Sequence, residues 1–399
     1  MPLSHGGFML RSQLARFPLT TIVIAQFFGT SLWFSVNGVG QALQQTIGLS
    51  TGDLGLLTIA VQAGFITGTL TIATTGLADR VRANRLFAGS AVAGAVVNVA
   101  FILAADQLAA GALLRFLTGL CLAGIYPLGM KLVVSWTPRQ AGAALGWLVG
   151  MLTLGTASPH LLRGLMLALP WQWPLVLASA LSLVAAALIY TLGVGPHLPQ
   201  TPPSGPPWAV ARAFKQRHFR AAALGYFGHS WELYAFWALV PLLVARELAR
   251  IDISLSSVAW LSFVVMAVGT PGCVLAGKAS RHYGSAAVAR TALATSGALC
   301  LFYPLLGSAP PLLLIALLLV WGVSVIADSA QFSALASTHA PPARLGAALA
   351  GMNAIGFALT IPAIALVTTL WADQGLAVLW WLLPGPALGL IAMRQAGRA

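Results

Sequence analysis

Apolar residues run on for about twenty positions at a time, and they do so twelve times, at residues 17–40, 54–78, 86–104, 110–134, 141–162, 173–194, 219–245, 255–277, 286–306, 310–336, 343–369 and 375–393. A run of that length carries an α-helix across the roughly 30 Å hydrocarbon core of a bilayer. Numbered in this order as spans 1 to 12, the runs occupy most of the 399 residues and leave no room for a sizeable aqueous domain. Only 7% of the residues are charged, against about 25% in an ordinary soluble domain, and the mean hydropathy is +0.87. A water-soluble fold is excluded, and the expected fold class is an all-α polytopic membrane protein.

The charge that remains is lopsided. With 21 basic and 8 acidic residues the chain carries a formal charge of +13, which in a soluble protein would suggest nucleic acid but in a polytopic one first sets topology. If the amino terminus is cytoplasmic, seventeen of the 21 Lys and Arg fall on that side; Arg163, Arg246 and Arg250 fall on the other, and Arg115 lies inside span 4. This asymmetry predicts cytoplasmic termini in an inner (plasma) membrane, with no nucleic acid partner. Arg11 and Arg16 precede span 1, which runs past signal-peptide length without a convincing small-residue cleavage site and reads as a retained span. Cys121, Cys273 and Cys300 are far apart in apolar runs, a pattern that suits neither a disulfide framework nor a zinc site.

The two halves repeat. Phe28-Gly29-Thr30-Ser31 in span 1 returns as Phe227-Gly228-His229-Ser230 in span 7, and Gly76-Leu77-Ala78-Asp79-Arg80 returns as Gly277-Lys278-Ala279-Ser280-Arg281. Gly119 and Pro138 are matched by Gly322 and Pro341, and Gly142-Ala143-Ala144-Leu145 by Gly346-Ala347-Ala348-Leu349; across the four matches the offset drifts only from 199 to 204. Two six-helix bundles are expected, at residues 1–195 and 219–399, joined by a Pro-rich and then basic linker at 196–218. A parallel repeat of this kind implies a pseudo-two-fold axis along the membrane normal and a site between the halves.

On these residues the chain resembles the major facilitator superfamily. The loop between spans 2 and 3, TGLADRVRANR, is similar to that family's signature loop: Leu77, Asp79 and Arg80 match its core, with Arg82 where the family has glycine and the leading glycine displaced to Gly76. Span 4, from Arg115 through Gly119 and Cys121 to Ala123, resembles the family's Arg-x-x-x-Gly signature, whose arginine is linked in relatives to substrate or proton handling. The Gly-Pro pair typical of the family's drug antiporters is not met in span 5, where Pro159 follows Ser158. The resemblance implies two rocking bundles, alternating access and a secondary transporter. A latch of Gly76, Asp79, Arg80 and Arg281 at the cytoplasmic ends would hold one state closed.

An ionisable side chain inside a span costs at least a few kcal/mol, so each is a functional candidate. His229 and Glu232 stand three residues apart on one face of span 7, and Asp328 falls near the middle of span 10. These three are the candidates for proton coupling. Gln26, Thr30, Trp33 and Asn37 form a polar stripe in span 1 at the depth of His229 and Glu232, and Gln331 continues a stripe from Asp328. With Arg115, Tyr126 and Asn353 they are the candidate substrate-binding residues; Arg115 favours an anionic or zwitterionic solute. His160 and Arg163 are expected at the outer interface.

The expected function is therefore proton-coupled transport of a small solute, with export of lipophilic or toxic compounds as the alternative. No cofactor or metal is expected beyond the proton gradient, and the partners are the bilayer and a small-molecule solute, with the chain acting as a monomer. A phosphate-binding loop is approached only at Gly272 to Gly277-Lys278, where Ala279 replaces the hydroxyl, so ATP hydrolysis is not expected. A membrane metalloenzyme would need Asp328 to join His229 and Glu232 as ligands, and an uncoupled facilitator would need no buried carboxylate.

Overall fold

A backbone in hydrocarbon has to pair its own amides and carbonyls, and helices do this within each segment. The computed structural model describes residues 12–75, 77–137, 141–197, 213–253, 257–340 and 345–396. In it the amino half comprises Pro18–Thr30 with Ser35–Gly38 and Gly40–Ile47 (span 1), Thr51–Thr75 (span 2), Ala83–Ala100 (span 3), Leu108–Leu122 with Tyr126–Trp136 (span 4), Ala141–Leu165 (span 5) and Gln172–Leu192 (span 6). The carboxyl half comprises Arg217–Ala249 (span 7), Ser257–Ala267 with Gly269–Tyr283 (span 8), Ser285–Leu305 (span 9), Pro311–Ala327 with Ser329–His339 (span 10), Leu345–Gln374 (span 11) and the 3-10 segment Gly375–Leu382 with Pro384–Ala396 (span 12). The linker expected at 196–218 falls mostly outside the described residues, and its last two positions already belong to the helix of span 7.

Among the described residues nine helical stretches are long and apolar enough to cross a membrane, one of them, Gly351–Arg394, running through spans 11 and 12. Span 1 opens with the short apolar helix Pro18–Thr30. Span 7 is long but more polar, since it carries His229, Ser230 and Glu232 in mid-helix, and a helix with such residues has to turn them toward protein rather than lipid.

The repeat is visible in packing as well as in residues. A Cβ on Gly119 would run into the carbonyl oxygen of Val61, and one on Gly322 into that of Val265. Gly68 faces the backbone of Leu120, and Gly272 that of Val323. Spans 2 and 4, and likewise 8 and 10, thus approach backbone to backbone, as small residues allow in membranes. Gly155 of span 5 packs on Phe27 and Thr30 of span 1; Gly356 of span 11 packs on Tyr226 and Ser230 of span 7. Spans 5 and 11 also carry Pro159 and Pro362 inside their helices, 203 residues apart.

The halves meet along spans 2 and 11 and along spans 5 and 8. Gly55 lies against Thr368 on one seam and Gly164 against Trp260 on the other, again one contact repeated by the pseudo-two-fold. On the second seam the Thr270 hydroxyl also donates to the Gly150 carbonyl at 2.9 Å. Both close contacts of small residues lie at the ends of the spans remote from the termini.

Candidate functional site

Between the halves the structure builds an aromatic cluster and, on its termini side, a cavity. Trp33 of span 1 lies 4.8 Å from Phe65 of span 2, 5.7 Å from Tyr234 of span 7 and 5.9 Å from Phe357 of span 11, ring centre to ring centre. Phe34 meets Tyr234 and the edge of Trp237, and Phe65 and Phe357 stand 4.5 Å apart. Aromatic pairs at these separations hold together beyond their burial. The cluster joins four spans from both halves.

The cavity next to it measures about 200 Å³ and is lined by Phe65, Ile66 and Thr69 of span 2, Tyr126, Pro127 and Met130 of span 4, and Leu349, Asn353, Ala354 and Phe357 of span 11. Tyr126 and Asn353, both candidates from the sequence, are among the lining residues. Thr69 was not singled out from the sequence, although Gln62, Phe65 and Thr69 repeat at helical spacing. The Thr69 hydroxyl and both polar atoms of Gln62 are buried without a protein partner among the described residues, the state of groups that water or a solute completes.

The titratable candidates of the carboxyl half separate into two arrangements. Asp328 stands at the one-residue turn between the helices Pro311–Ala327 and Ser329–His339 of span 10, with helical backbone angles of its own. Its carboxylate caps neither helix; Oδ1 lies 2.7 Å from Nδ1 of His229, and both side chains are buried. The His229 ring is flanked by Tyr226 at 5.8 Å and Phe332 at 6.3 Å. On the same span Tyr226 and Ser230 rest on Gly356, the neighbour of the cavity residue Phe357. Gln331 is buried one turn beyond Asp328.

Glu232 is held differently. Trp321 Nε1–H donates to Oε1 at 2.7 Å, the Ser296 hydroxyl donates to Oε2 at 2.8 Å, and the Cys300 thiol lies 3.4 Å from Oε1. Both carboxylate oxygens are occupied, and the side chain ties spans 7, 9 and 10 together. The structure thus divides the expected grouping of Glu232, His229 and Asp328 into a close pair and a carboxylate held in a separate network.

The amino half has a matching network with a cation at its centre. Span 1 breaks at Ser31–Phe34, which frees backbone carbonyls that a helix would have used. Arg115 takes them: Nη2–H donates to Leu32 and Trp33 at 3.2 and 2.5 Å, and Nη1–H to Ser35 Oγ and Asn98 Oδ1 at 3.2 and 3.1 Å. Asn98 in turn reaches Ser179 and the Leu175 carbonyl. Arg115 is fully buried, and four of its five N–H donors are committed to span 1 and span 3, which corrects the expectation that it reaches a solute or a coupling carboxylate.

The remaining stripe of span 1 packs inside the amino bundle. The Thr30 hydroxyl donates to the Gln26 carbonyl at 2.8 Å and faces Gly155, Gln26 lies against Gly129 of span 4, and Asn37 donates to Thr58 of span 2 at 2.8 Å. Of that stripe only Trp33 reaches the interface of the halves. His160, expected at the outer interface, is buried behind Pro159, which packs on Gly38. Glu247, unremarked in the sequence, is buried between Arg246 and Arg250, whose guanidinium groups also bind the carbonyls of Gly307, Ser308 and Ala309.

Of the latch residues, Gly76 lies outside the described residues and so does the side chain of Asp79. Arg80 closes the short helix Leu77–Arg80, Arg281 lies in the last turn of Gly269–Tyr283, and both are exposed. Among the described side chains neither forms an ion pair.

The fold is that of a known transporter structure. The human organic anion transporter MFSD10 (TETRAN) superposes with a TM-score of 0.67 over 95% of this chain and 99% of that one, at 13% sequence identity. No curated protein sequence matches the chain. Residues 22–383 match the sequence profile of the Major Facilitator Superfamily, and the chain belongs to that family of membrane transporters.

Proposed function

We propose that the chain is a proton-coupled secondary transporter of a small, uncharged and largely apolar solute, working by alternating access as a monomer in an inner membrane with cytoplasmic termini. The observation that carries the coupling is the buried pair of His229 and Asp328 between spans 7 and 10. At this separation and burial the two side chains act as one coupled pair, and one proton taken up or released by it changes its net charge by one. Tyr226 and Ser230, on the same helix, pack against Gly356 of span 11, beside the cavity residue Phe357, which links the pair to a span that lines the cavity.

The solute class follows from the lining. Among the described residues it is aromatic and aliphatic, with hydrogen-bonding groups on Thr69, Tyr126 and Asn353 and no cation. An anion, the solute class named for the human structural neighbour, would need a cation at the cavity, and Arg115 is occupied elsewhere. This favours the alternative weighed from the sequence, a lipophilic compound, over an anionic or zwitterionic one.

The test is transport in proteoliposomes with an imposed pH gradient, using uncharged fluorescent lipophilic compounds and carboxylate-bearing analogues of the same size. Uphill movement of the uncharged compounds, present only with the gradient, is the expected result. Equilibration regardless of the gradient would refute proton coupling, and preference for the carboxylate series would refute the solute class.

A further inference from the structure

On the lipid-facing side of the carboxyl half, spans 9, 10 and 12 leave a groove of about 640 Å³. Its walls include Ala294 and Ala298 of span 9, Val320 of span 10 and Leu390 of span 12, and two arginines, Arg290 and Arg394, stand at its termini end. Spans 9 and 12 are pinched together deeper in the membrane, where Gly297 lies against Pro386. From Arg290 to Ala298 span 9 climbs eight residues, about 12 Å of helix, so the groove runs from headgroup depth into the hydrocarbon.

Its chemistry is asymmetric along that length. Arg290 is half-buried, with its Nε–H held by the Ala286 carbonyl at 3.1 Å, which leaves the outer guanidinium nitrogens at the groove. Arg394 is exposed on the facing helix. Among the described residues neither arginine meets a carboxylate. Deeper in, Ala294 and Ala298 are exposed small residues and make a shallow apolar trough. The threonines beside them, Thr291 and Thr295, donate to their own helix at Ala287 and Thr291, and so present methyl groups without an unpaired hydroxyl donor. The pseudo-two-fold does not repeat the cations: the position 201 residues before Arg290 is Gly89.

We infer that this groove is a binding site for an anionic phospholipid of the leaflet on the termini side, with the headgroup phosphate between Arg290 and Arg394 and one acyl chain along Ala294 and Ala298. Two guanidinium groups at one headgroup depth match a phosphate by charge and by hydrogen-bond geometry. The apolar trough behind them distinguishes a lipid from a soluble phosphate, and the neighbours of this face in a membrane are lipids.

The experiment uses the full-length protein in a neutral detergent, read by native mass spectrometry and by thermal midpoint, titrated with phosphatidylglycerol, phosphatidylcholine or inorganic phosphate. Phosphatidylglycerol is expected to stay bound and to raise the midpoint, the other two much less. Arg290→Gln with Arg394→Gln is expected to weaken phosphatidylglycerol retention by about tenfold or more, while Arg82→Gln with Arg85→Gln, the same charge change at the start of span 3, leaves it unchanged. Ala298→Phe, on an exposed face, is expected to displace the lipid with no change of charge. Equal retention of phosphatidylglycerol in all variants, equal retention of phosphatidylcholine by the wild type, or an equal effect of inorganic phosphate would overturn the assignment.

Discussion

The imidazole of His229 meets the carboxylate of Asp328 at 2.7 Å across spans 7 and 10, at the one residue where the helix of span 10 is interrupted. Asp328→Asn keeps the size of the side chain and removes its charge. The expected outcome in proteoliposomes is retained exchange of solute down its own gradient with loss of proton-driven accumulation. If accumulation persists in the variant, the pair is structural.

Glu232 gives the contrasting variant. A glutamine there can turn its carbonyl to Trp321 Nε1–H and its amide to the Ser296 hydroxyl, since the hydroxyl accepts as well as donates. Glu232→Gln is therefore expected to keep proton-driven accumulation, whereas Glu232→Ala leaves the buried indole N–H without an acceptor and costs about 1–3 kcal/mol of stability. Loss of accumulation in a well-folded Glu232→Gln protein would return the proton to Glu232.

For Arg115 the expected defect is in folding. Lysine carries the charge but lacks the planar fork that reaches Leu32, Trp33, Ser35 and Asn98 together. Arg115→Lys should lower stability by about 3 kcal/mol, measured by thermal unfolding in detergent, and leave the affinity of the folded fraction for solute unchanged. A variant of normal stability that no longer binds solute would show that Arg115 belongs to the binding site after all.

How far the sequence shows these features depends on whether the signal is local. Most of the spans follow from hydropathy, and the repeat of Gly119 in Gly322 marks the backbone contacts that both glycines make. Pro159 and Pro362 carry the same message at a spacing of 203 residues, though the repeat read from the sequence does not include them. The partners of Arg115 were not legible, because the broken residues Ser31 to Phe34 include neither proline nor glycine. Thr69 was hidden among Thr67, Thr71 and Thr74, whose hydroxyls bond their own helix; only the fold leaves Thr69 unpaired at a cavity. Nor does hydropathy separate Phe65 and Phe357, which line the cavity, from phenylalanines that face lipid.

The symmetric glycines give a test that needs no solute. A methyl group at Gly119 would press on the Val61 carbonyl, and one at Gly322 on the Val265 carbonyl, so in both cases one helix has to withdraw from its neighbour. Gly119→Ala and Gly322→Ala should each destabilise the protein by about 1–3 kcal/mol. Gly146, in the interior of span 5, has open space around the position of a Cβ, and Gly146→Ala should be neutral or gain up to about 1 kcal/mol from helix propensity. Thermal midpoints of the three variants in one detergent decide the matter. Comparable losses for the first two with none for the third support the same 2–4 and 8–10 packing in both bundles; a loss confined to one half would mean that the repeat in sequence is not a repeat in packing.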